Sequence, residues 1–399
     1  MITGQNYLAS YATSSENSKG RIFPESESPT RSAFQRDRDR IIHCSTFRRL
    51  KHKTQVFVYH EGDYYRTRLT HSIEVAQIAR SISRYLRLNE DLAEALALAH
   101  DFGHTAFGHA GEDAMSLCME NYGGFDHNAQ SLRLVTTLEK RYGAFDGLNL
   151  TWETLEGLAK HNGPLAKSAI DHRSPPKNLP WALRELLPKL DLEIHTFAGP
   201  EAQVAAISDD IAYNNHDVDD GLRAGLFKLD ELAEVSFVGD MIDEVNDLYP
   251  NIEEGVIIHE LIRRLINVMV EDLLAESQSR IKRLNIKSVE DVRAAGESVI
   301  ALSDEMAACD KELKQFLTTK MYRHPKVKRM GTKGKKVVKD LFNLYIEEPE
   351  CMPFEWAGLA DGSNSNKTAR VVADFIAGMT DRFALREHRK LFDISDIEI

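Results

Sequence analysis

Apolar residues recur with helical period through most of the chain after residue 33, and this pattern constrains the fold more than any other feature. Residues 70–85, for example, place most of their apolar side chains on one helical face. The alternation of apolar and polar residues that is typical of a strand is rare, and residues 54–59 are its best candidate. The sequence therefore predicts a mainly α fold.

Predicted helices follow one another along the chain, separated by polar or Pro-rich stretches. They cover residues 70–85, 90–99, 128–139, 151–160, 201–214, 253–282, 288–343 and 366–389. Residues 171–180, which are polar and rich in Pro, predict a loop. The first 30 residues are polar, contain Pro24 and Pro29, and predict a flexible arm.

Several classes of protein are excluded by simple features of the sequence. No run approaches the ~18 apolar residues that a membrane helix needs, and residues 1–20 lack the apolar centre of a secretory signal. The four cysteines are scattered and form no CxxC pair, which favours a reducing compartment over a disulfide framework or a thiolate zinc site. We therefore expect a cytoplasmic protein with no membrane partner.

Charge is unevenly distributed along the chain. The net charge of −12 argues against general binding to nucleic acids or anionic membranes. Residues 31–68, however, hold ten Lys or Arg against four acids, and residues 320–340 hold nine against one. Two such basic segments indicate specific phosphate sites, or equally two solvated surface segments.

One short region concentrates chemically active side chains. Residues 100–112, HDFGHTAFGHAGE, contain three His, one Asp and one Glu, interrupted by three Gly. Gly allows the backbone to turn tightly and to approach a ligand closely. His100 and Asp101 follow an apolar helix, so we expect them at its C-terminal end, where neighbouring side chains can reach one ion. His71 lies upstream in RLTHS and Asp209 downstream in SDDIAY.

This order of residues resembles the HD superfamily of metal-dependent phosphohydrolases, whose pattern is His, His-Asp, Asp. Longer blocks resemble the bacterial dGTP triphosphohydrolase-like family within it: residues 30–58, 66–80, 100–112, 125–132 (FDHNAQSL), 209–213 (DDIAY) and 322–325 (YRHP). The blocks span residues 30–325 in consistent order. Ala106 departs from the family pattern, because many members have Pro there, but it touches no proposed ligand.

The resemblance implies an HD-domain helical fold with a helical C-terminal extension. We expect a flexible arm over residues 1–30 and the HD phosphohydrolase domain, with its basic segment, over residues 31–220. Residues 221–399 are expected to form a helical region that closes the pocket and supports oligomerisation.

By position, the metal ligands implied by the resemblance are His71, His100, Asp101 and Asp209. Two imidazoles and two carboxylates suit Mn²⁺, Mg²⁺, Co²⁺ or Fe²⁺ better than a structural zinc site.

The family's other functional residues carry over onto a second set of positions. His109 is expected to protonate the leaving 5′ oxygen with the help of Glu112, and His104 and His127 to contact phosphate or assist that step. The expected substrate contacts are Arg48, Lys53 and Arg68 for the phosphates, Tyr213 and Asp217 for the sugar, and Tyr322 and His324 for closure of the pocket. Lys53, Tyr322 and His324 are equally compatible with purely structural roles.

The activity that the resemblance implies is hydrolysis of a dNTP, with dGTP preferred, to the deoxynucleoside and tripolyphosphate. One alternative is an HD phosphohydrolase acting on another nucleotide, and another is a nucleotide- or single-strand-binding regulator without turnover. Relatives form tetramers or hexamers, so we expect a homo-oligomer. A dNTP or single-stranded DNA could act as effector; Lys333, Lys335 and Lys336 could belong to such a site or could equally be solvated.

Overall fold

The computed structural model describes residues 8–55 and 65–393, and within these ranges it is built from helices. The β pairing there consists of two isolated bridges, Arg21 with Thr151 and Thr54 with Thr67, and no strand is formed. The predicted mainly α fold is thus confirmed. Most of the strand predicted at residues 54–59 lies outside the described residues. No helix in the described part of the chain has the length and hydropathy needed to cross a membrane.

Eighteen α-helices occur in the described residues. They are α1 (Ala33–His43), α2 (Ser45–Arg49), α3 (Arg68–Leu86), α4 (Glu90–Ala99), α5 (Gly108–Cys118), α6 (His127–Arg133), α7 (Trp152–Ala159), α8 (Trp181–Leu186), α9 (Pro200–Arg223), α10 (Leu229–Leu232), α11 (Ser236–Leu248), α12 (Glu254–Arg283), α13 (Val289–Ala294), α14 (Asp304–Leu317), α15 (Pro325–Glu347), α16 (Phe354–Ala357), α17 (Asn366–Ala377) and α18 (Asp381–Phe392). Short 3₁₀ turns lie at Ser15–Asn17, Leu50–His52, Glu120–Tyr122 and Pro349–Cys351, and π turns at Leu134–Leu138 and Thr318–Tyr322.

Local side-chain chemistry sets the ends of the helices that carry the site. The Thr67 side chain accepts a hydrogen bond from the Thr70 amide and begins α3, and Asn89 caps α4 in the same way. Pro200, whose ring fixes φ, occupies the first turn of α9. The helix predicted over residues 366–389 is divided into α17 and α18, because α17 ends at Gly378 and Thr380 caps a new helix.

Three hydrophobic clusters hold the helices together. The first lies mainly between α1, α3, α4, α7 and the first half of α9. The second joins α5 to α15, α17 and α18, and the third joins the second half of α9 to α11, α12 and α14. The boundary expected after residue 220 falls inside α9, and α5 packs with the C-terminal helices, so the clusters do not follow that division.

Residues 8–30 differ from the expected flexible arm, because they are held against the body of the protein. The amide and hydroxyl of Thr13 donate to the buried carboxylate of Glu201 at 2.9 and 2.5 Å. Arg21 forms an ion pair with the buried Asp37 at 2.5 Å. Buried carboxylates need donors to offset their lost hydration, and this segment supplies them.

Candidate active site

The four predicted metal ligands converge in the structure. His71 projects from the first turns of α3, His100 and Asp101 follow the end of α4, and Asp209 lies in the middle of α9. Nε2 of His71 lies 2.9 Å from Oδ1 of Asp209 and 4.0 Å from Oδ2 of Asp101. Nε2 of His100 lies 3.4 Å from the same Asp209 oxygen and 3.5 Å from Oδ1 of Asp101.

Contacts behind the two histidines occupy the outward-facing nitrogen of each ring, so that Nε2 faces the cluster and can bind a cation. His100 donates from Nδ1 to the carbonyl of Ala97 at 2.7 Å. Burial and the neighbouring His71 lower the pKa of His216 to about 4, so His216 is neutral. Its Nε2 then donates to Glu74 at 2.6 Å, and its Nδ1 accepts from Nδ1 of His71 at 3.1 Å. Such outer contacts orient metal-ligating imidazoles.

The cluster contains buried polar atoms that a positive charge at its centre would stabilise. Nε2 of His100 and Oδ2 of Asp101 are buried without a hydrogen-bond partner among the described residues. Burial opposes protonation of His100, but the carboxylates of Asp101 and Asp209 outweigh burial and raise its pKa to about 9. Two imidazole lone pairs and two carboxylates therefore fit a divalent cation, and the donor set matches the ions expected from the sequence.

Arg68 lies directly beside this cluster. Its side chain is almost fully buried, and Nη1 donates to Oδ1 of Asp101 at 2.8 Å. Its Nε and Nη2 have no hydrogen-bond partner in the described part of the structure. A buried guanidinium with unused donors is suited to bind an anionic ligand in two-point geometry. Arg68 therefore lies beside the predicted metal ligands, where a phosphate contact was expected.

A second polar cluster joins α5, α6 and the loop after α4. Oε1 of Glu112 lies 2.7 Å from Nδ1 of His127, and Oε2 lies 3.4 Å from Nδ1 of His104. The rings of His104 and His127 stack with centroids 4.1 Å apart. Nε2 of His104 reaches Asp101 at 3.2 Å, so this cluster touches the first. Gly103 allows the packing, because a Cβ there would overlap the carbonyl of His127.

The expected pairing of Glu112 with His109 is replaced by pairing with His127. Both His109 and Glu112 lie at the start of α5, but Glu112 turns towards α6, where the His127 amide also donates to it at 3.2 Å. Burial and the nearby Arg68 lower the pKa of His109. Burial opposes protonation of His127, but the hydrogen bond that its Nδ1 donates to Glu112 and the charges of the nearby carboxylates together outweigh burial and raise the pKa of His127. His109 lines the cavity 5.4 Å from the ring of His104.

Aromatic residues form the opposite side of the cavity. Tyr213, one helical turn after Asp209, and Tyr322 both line it. Tyr322 donates a hydrogen bond to Asp217, which is buried and does not itself line the cavity. Burial raises the pKa of Asp217 to about 8. Asp209, Tyr213 and Asp217 therefore lie on one helix, as their spacing predicts. Asp217 is already hydrogen-bonded by Tyr322.

Three further predicted substrate contacts, like Asp217, do not line the cavity. Arg48 is exposed at the end of α2, where it donates to the carbonyl of His43 at 3.0 Å. Lys53 is buried and donates to the carbonyls of His104 and Ala377 at 2.5 and 2.9 Å, so it supports the site from behind. His324 caps α15 by accepting from the amide of Lys326.

The cavity has a volume of about 920 Å³ and contains residues that the sequence did not single out. His161 stacks on His100 with centroids 5.5 Å apart and approaches Asp209 at 3.4 Å. No motif surrounds His161, so only the fold shows its position. Lys328 and Lys335 line the rim. Lys333 and Lys336, considered as effector contacts, are exposed, and Lys336 pairs with Asp340.

Comparisons with known proteins point to one family. The HD domain family matches residues 68–212, and the phosphohydrolase-associated domain matches residues 300–390. A deoxyguanosinetriphosphate triphosphohydrolase-like protein of Parvibaculum lavamentivorans is 57% identical over 97% of both chains. Deoxyguanosinetriphosphate triphosphohydrolase-like protein 1 of Mesorhizobium japonicum is also 57% identical, over 98% of this chain and 96% of its own. A similarly named protein of Azorhizobium caulinodans is 56% identical over 98% of both chains.

Proposed function

The chain belongs to the deoxyguanosinetriphosphate triphosphohydrolase-like family of HD-domain phosphohydrolases, and we propose that it hydrolyses deoxynucleoside triphosphates, dGTP preferred, to deoxynucleoside and tripolyphosphate. The observation that carries the proposal is the convergence of His71, His100, Asp101 and Asp209 beside Arg68 in a cavity of about 920 Å³. A volume of this size is typical of sites for small molecules and nucleotides. The preference for dGTP rests on the names of the relatives.

The four converging ligands would hold the divalent ion, with Mn²⁺, Mg²⁺, Co²⁺ and Fe²⁺ as the candidates. Such an ion supplies Lewis acidity to a water molecule and positive charge to phosphate oxygens. Arg68 binds the phosphate oxygens beside Asp101 through its two unpartnered nitrogens, Nε and Nη2. This contact holds the α-phosphorus in place and neutralises charge that develops during attack by water.

The leaving 5′ oxygen of the deoxynucleoside must receive a proton. Glu112 holds His127 at Nδ1 and favours its protonated form, and His104 stacks between His127 and Asp101. We therefore assign the proton donation to His127, with Glu112 as its positioning carboxylate and His104 as a contact to the phosphate. His109, whose pKa is lowered, is neutral and binds a phosphate oxygen through its N–H.

Selection of the sugar is assigned to Tyr213 of α9 and Tyr322 of the π turn that follows α14. Tyr213 is half-buried and lines the cavity, and its ring lies 6.2 Å from those of His71 and His109. A ring at this place would exclude a 2′-hydroxyl by occupying its volume. The Tyr322 hydroxyl, which donates to Asp217, can rearrange so that both groups contact the 3′-hydroxyl.

The proposal also covers the protein's oligomeric state, its effectors and its location in the cell. We propose a cytoplasmic homo-oligomer, a tetramer or hexamer as in relatives, acting on dNTPs, with a dNTP or single-stranded DNA as a candidate effector. The four cysteines are all free in the structure, which fits a reducing compartment.

The test is a product assay on the purified chain with Mn²⁺, each dNTP singly and all four mixed, and GTP as the ribonucleotide control. The proposal requires deoxynucleoside and tripolyphosphate in equal amounts, with dGTP turned over fastest. A nucleoside monophosphate with pyrophosphate, or release of single phosphates, would place the chain among phosphohydrolases with a different reaction. Bound metal without turnover of any nucleotide would instead indicate a nucleotide-binding regulator.

A further inference from the structure

A second large cavity lies between α6, α8, α16 and α17. Its volume is about 840 Å³, close to that of the candidate active site. The two cavities have no lining residue in common within the described ranges. The second cavity is therefore separate from the candidate active site.

The walls of this cavity carry an excess of positive charge. Five basic and two acidic side chains line it: Arg133, Lys140, Arg184, Lys367 and Arg370, with Glu185 and Asp374. Both acids are engaged by Arg133, at 3.0 Å for Glu185 and 2.7 Å for Asp374. Lys140 pairs with Asp146 at 2.6 Å, which leaves Arg184, Lys367 and Arg370 as the cations available to an anion in the cavity.

Two of the arginines lie close together on one wall. A Cβ added at Gly123 would contact the guanidinium groups of both Arg184 and Arg370. Nε of Arg184 is buried without a hydrogen-bond partner among the described residues. Burial and the nearby positive charges of Arg184 and Arg133 lower the pKa of Arg370 to about 10. A bound anion would relieve this repulsion and satisfy the unused donor.

The start of α17 adds to the positive potential. Asn366 and Lys367 form its first turn and line the cavity, and Arg370 follows one turn later. Ser365 caps the Thr368 amide, and the amides of Asn366 and Lys367 before it add partial positive charge at the N-terminus of this twelve-residue helix, which attracts anions. Lys367 is exposed, so its ammonium group is free to move towards a phosphate.

Aromatic rings form another part of the wall. Arg133 and Arg370 lie over the ring of Trp181, at 4.2 and 4.6 Å from its centroid. Trp356 also lines the cavity and rests on Phe375, with centroids 5.2 Å apart. An indole supported from behind offers a surface for a planar ligand group.

We propose that this cavity is a second binding site, which takes a nucleoside polyphosphate. Its phosphates contact Arg184, Lys367 and the first turn of α17, and its base packs against Trp356. The positive charge recognises the polyphosphate, and the indole distinguishes a nucleotide from a free polyphosphate. The proposal concerns binding and does not depend on the reaction at the first cavity.

The test compares ATP and tripolyphosphate by isothermal titration calorimetry, using the full chain in EDTA. The variant R184Q/K367Q removes two phosphate contacts, and R173Q/K282Q is the matched control, because Arg173 and Lys282 are exposed and line neither cavity. Wild type and the control should bind ATP at this site, and R184Q/K367Q should bind it at least about tenfold more weakly, as loss of charge-assisted bonds implies.

A second readout uses the tryptophans. The chain has three, of which Trp152 is buried elsewhere. ATP should quench the emission of wild type, and W356F should lose most of that change while circular dichroism shows an intact fold. Equal ATP binding by R184Q/K367Q and wild type would overturn the proposal. Tripolyphosphate binding as tightly as ATP, and weakened by the same variant, would overturn the nucleotide assignment.

Discussion

Replacing Glu112 with Gln gives the sharpest prediction for the proposed chemistry. The carboxylate lies 2.7 Å from Nδ1 of His127 and is mostly shielded from solvent. A hydrogen bond to a charged group contributes about 1.5–3 kcal/mol, and about 1.4 kcal/mol corresponds to one pKa unit. Glu112→Gln should therefore lower the pKa of His127 by about one to two units.

The sign of the effect follows from the role of His127 as proton donor. Activity is present while His127 is protonated and is lost as pH rises through its pKa. In Glu112→Gln the alkaline decline of kcat should move to a pH about one to two units lower, and at pH values on the alkaline limb of the wild-type profile kcat should fall about 10- to 100-fold. Metal content should stay that of wild type, because Glu112 contacts none of the four ligands in the first cluster directly.

The assay is the pH profile of kcat for dGTP with Mn²⁺, followed by chromatographic measurement of deoxyguanosine. Glu120→Gln is the matched control, since Glu120 is an exposed carboxylate just beyond α5. An unchanged alkaline limb in Glu112→Gln, or a change in KM alone, would refute the assignment of Glu112 and His127 to proton transfer.

Three further changes test other parts of the structure. His71→Ala should lose bound Mn²⁺, measured by elemental analysis, together with turnover; retained metal would contradict the four-ligand site. Tyr213→Ala should reduce the ratio of kcat/KM for dGTP over GTP by about tenfold or more, and an unchanged ratio would remove Tyr213 from sugar selection. Lys53→Met should lower the midpoint of urea unfolding by leaving the carbonyls of His104 and Ala377 without a donor. Burial lowers the pKa of Lys53 to about 7, so the folded state binds fewer protons than the unfolded state between about pH 7 and 10.5, and the stability contributed by this residue rises with pH in that window. The stability difference between wild type and Lys53→Met should therefore grow between pH 7 and 9.5, and a constant difference would contradict the lowered pKa.

The sequence was sufficient for the fold class and for the convergence of the metal ligands. Helical period extends through the chain, and the ligands occur at positions that helix geometry brings together. His100 and Asp101 terminate an apolar helix, and Asp209 lies inside another. The helices follow from local periodicity, whereas the choice of these four residues as metal ligands is implied by the resemblance to the HD superfamily.

The sequence does not show which side chains contact one another in the folded protein. Glu112 is three residues from His109, yet α6 packs beside it and supplies His127 as its partner. His161 enters the cavity only because α7 ends against α9. The resemblance implies phosphate contacts for Arg48 and Lys53, whereas in the structure these side chains bind carbonyl oxygens of the protein itself. These contacts depend on how the helices pack against one another.

Helix α9 fixes the distance between Asp209 and Asp217, whereas the loops around the cavity are not constrained in this way. Asp209 and Asp217 are eight residues apart on one continuous helix, which corresponds to about 12 Å along its axis. Insertion of a single residue between them would rotate Asp217 by about 100° and separate it from Tyr322. Over evolutionary time the loops around the cavity can diverge and change which base is accepted. If Asp209 holds the cation and Asp217 contacts the sugar, as proposed, the distance between them cannot change in the same gradual way, so descendants of this chain should vary in base preference before they vary in the bond they cleave.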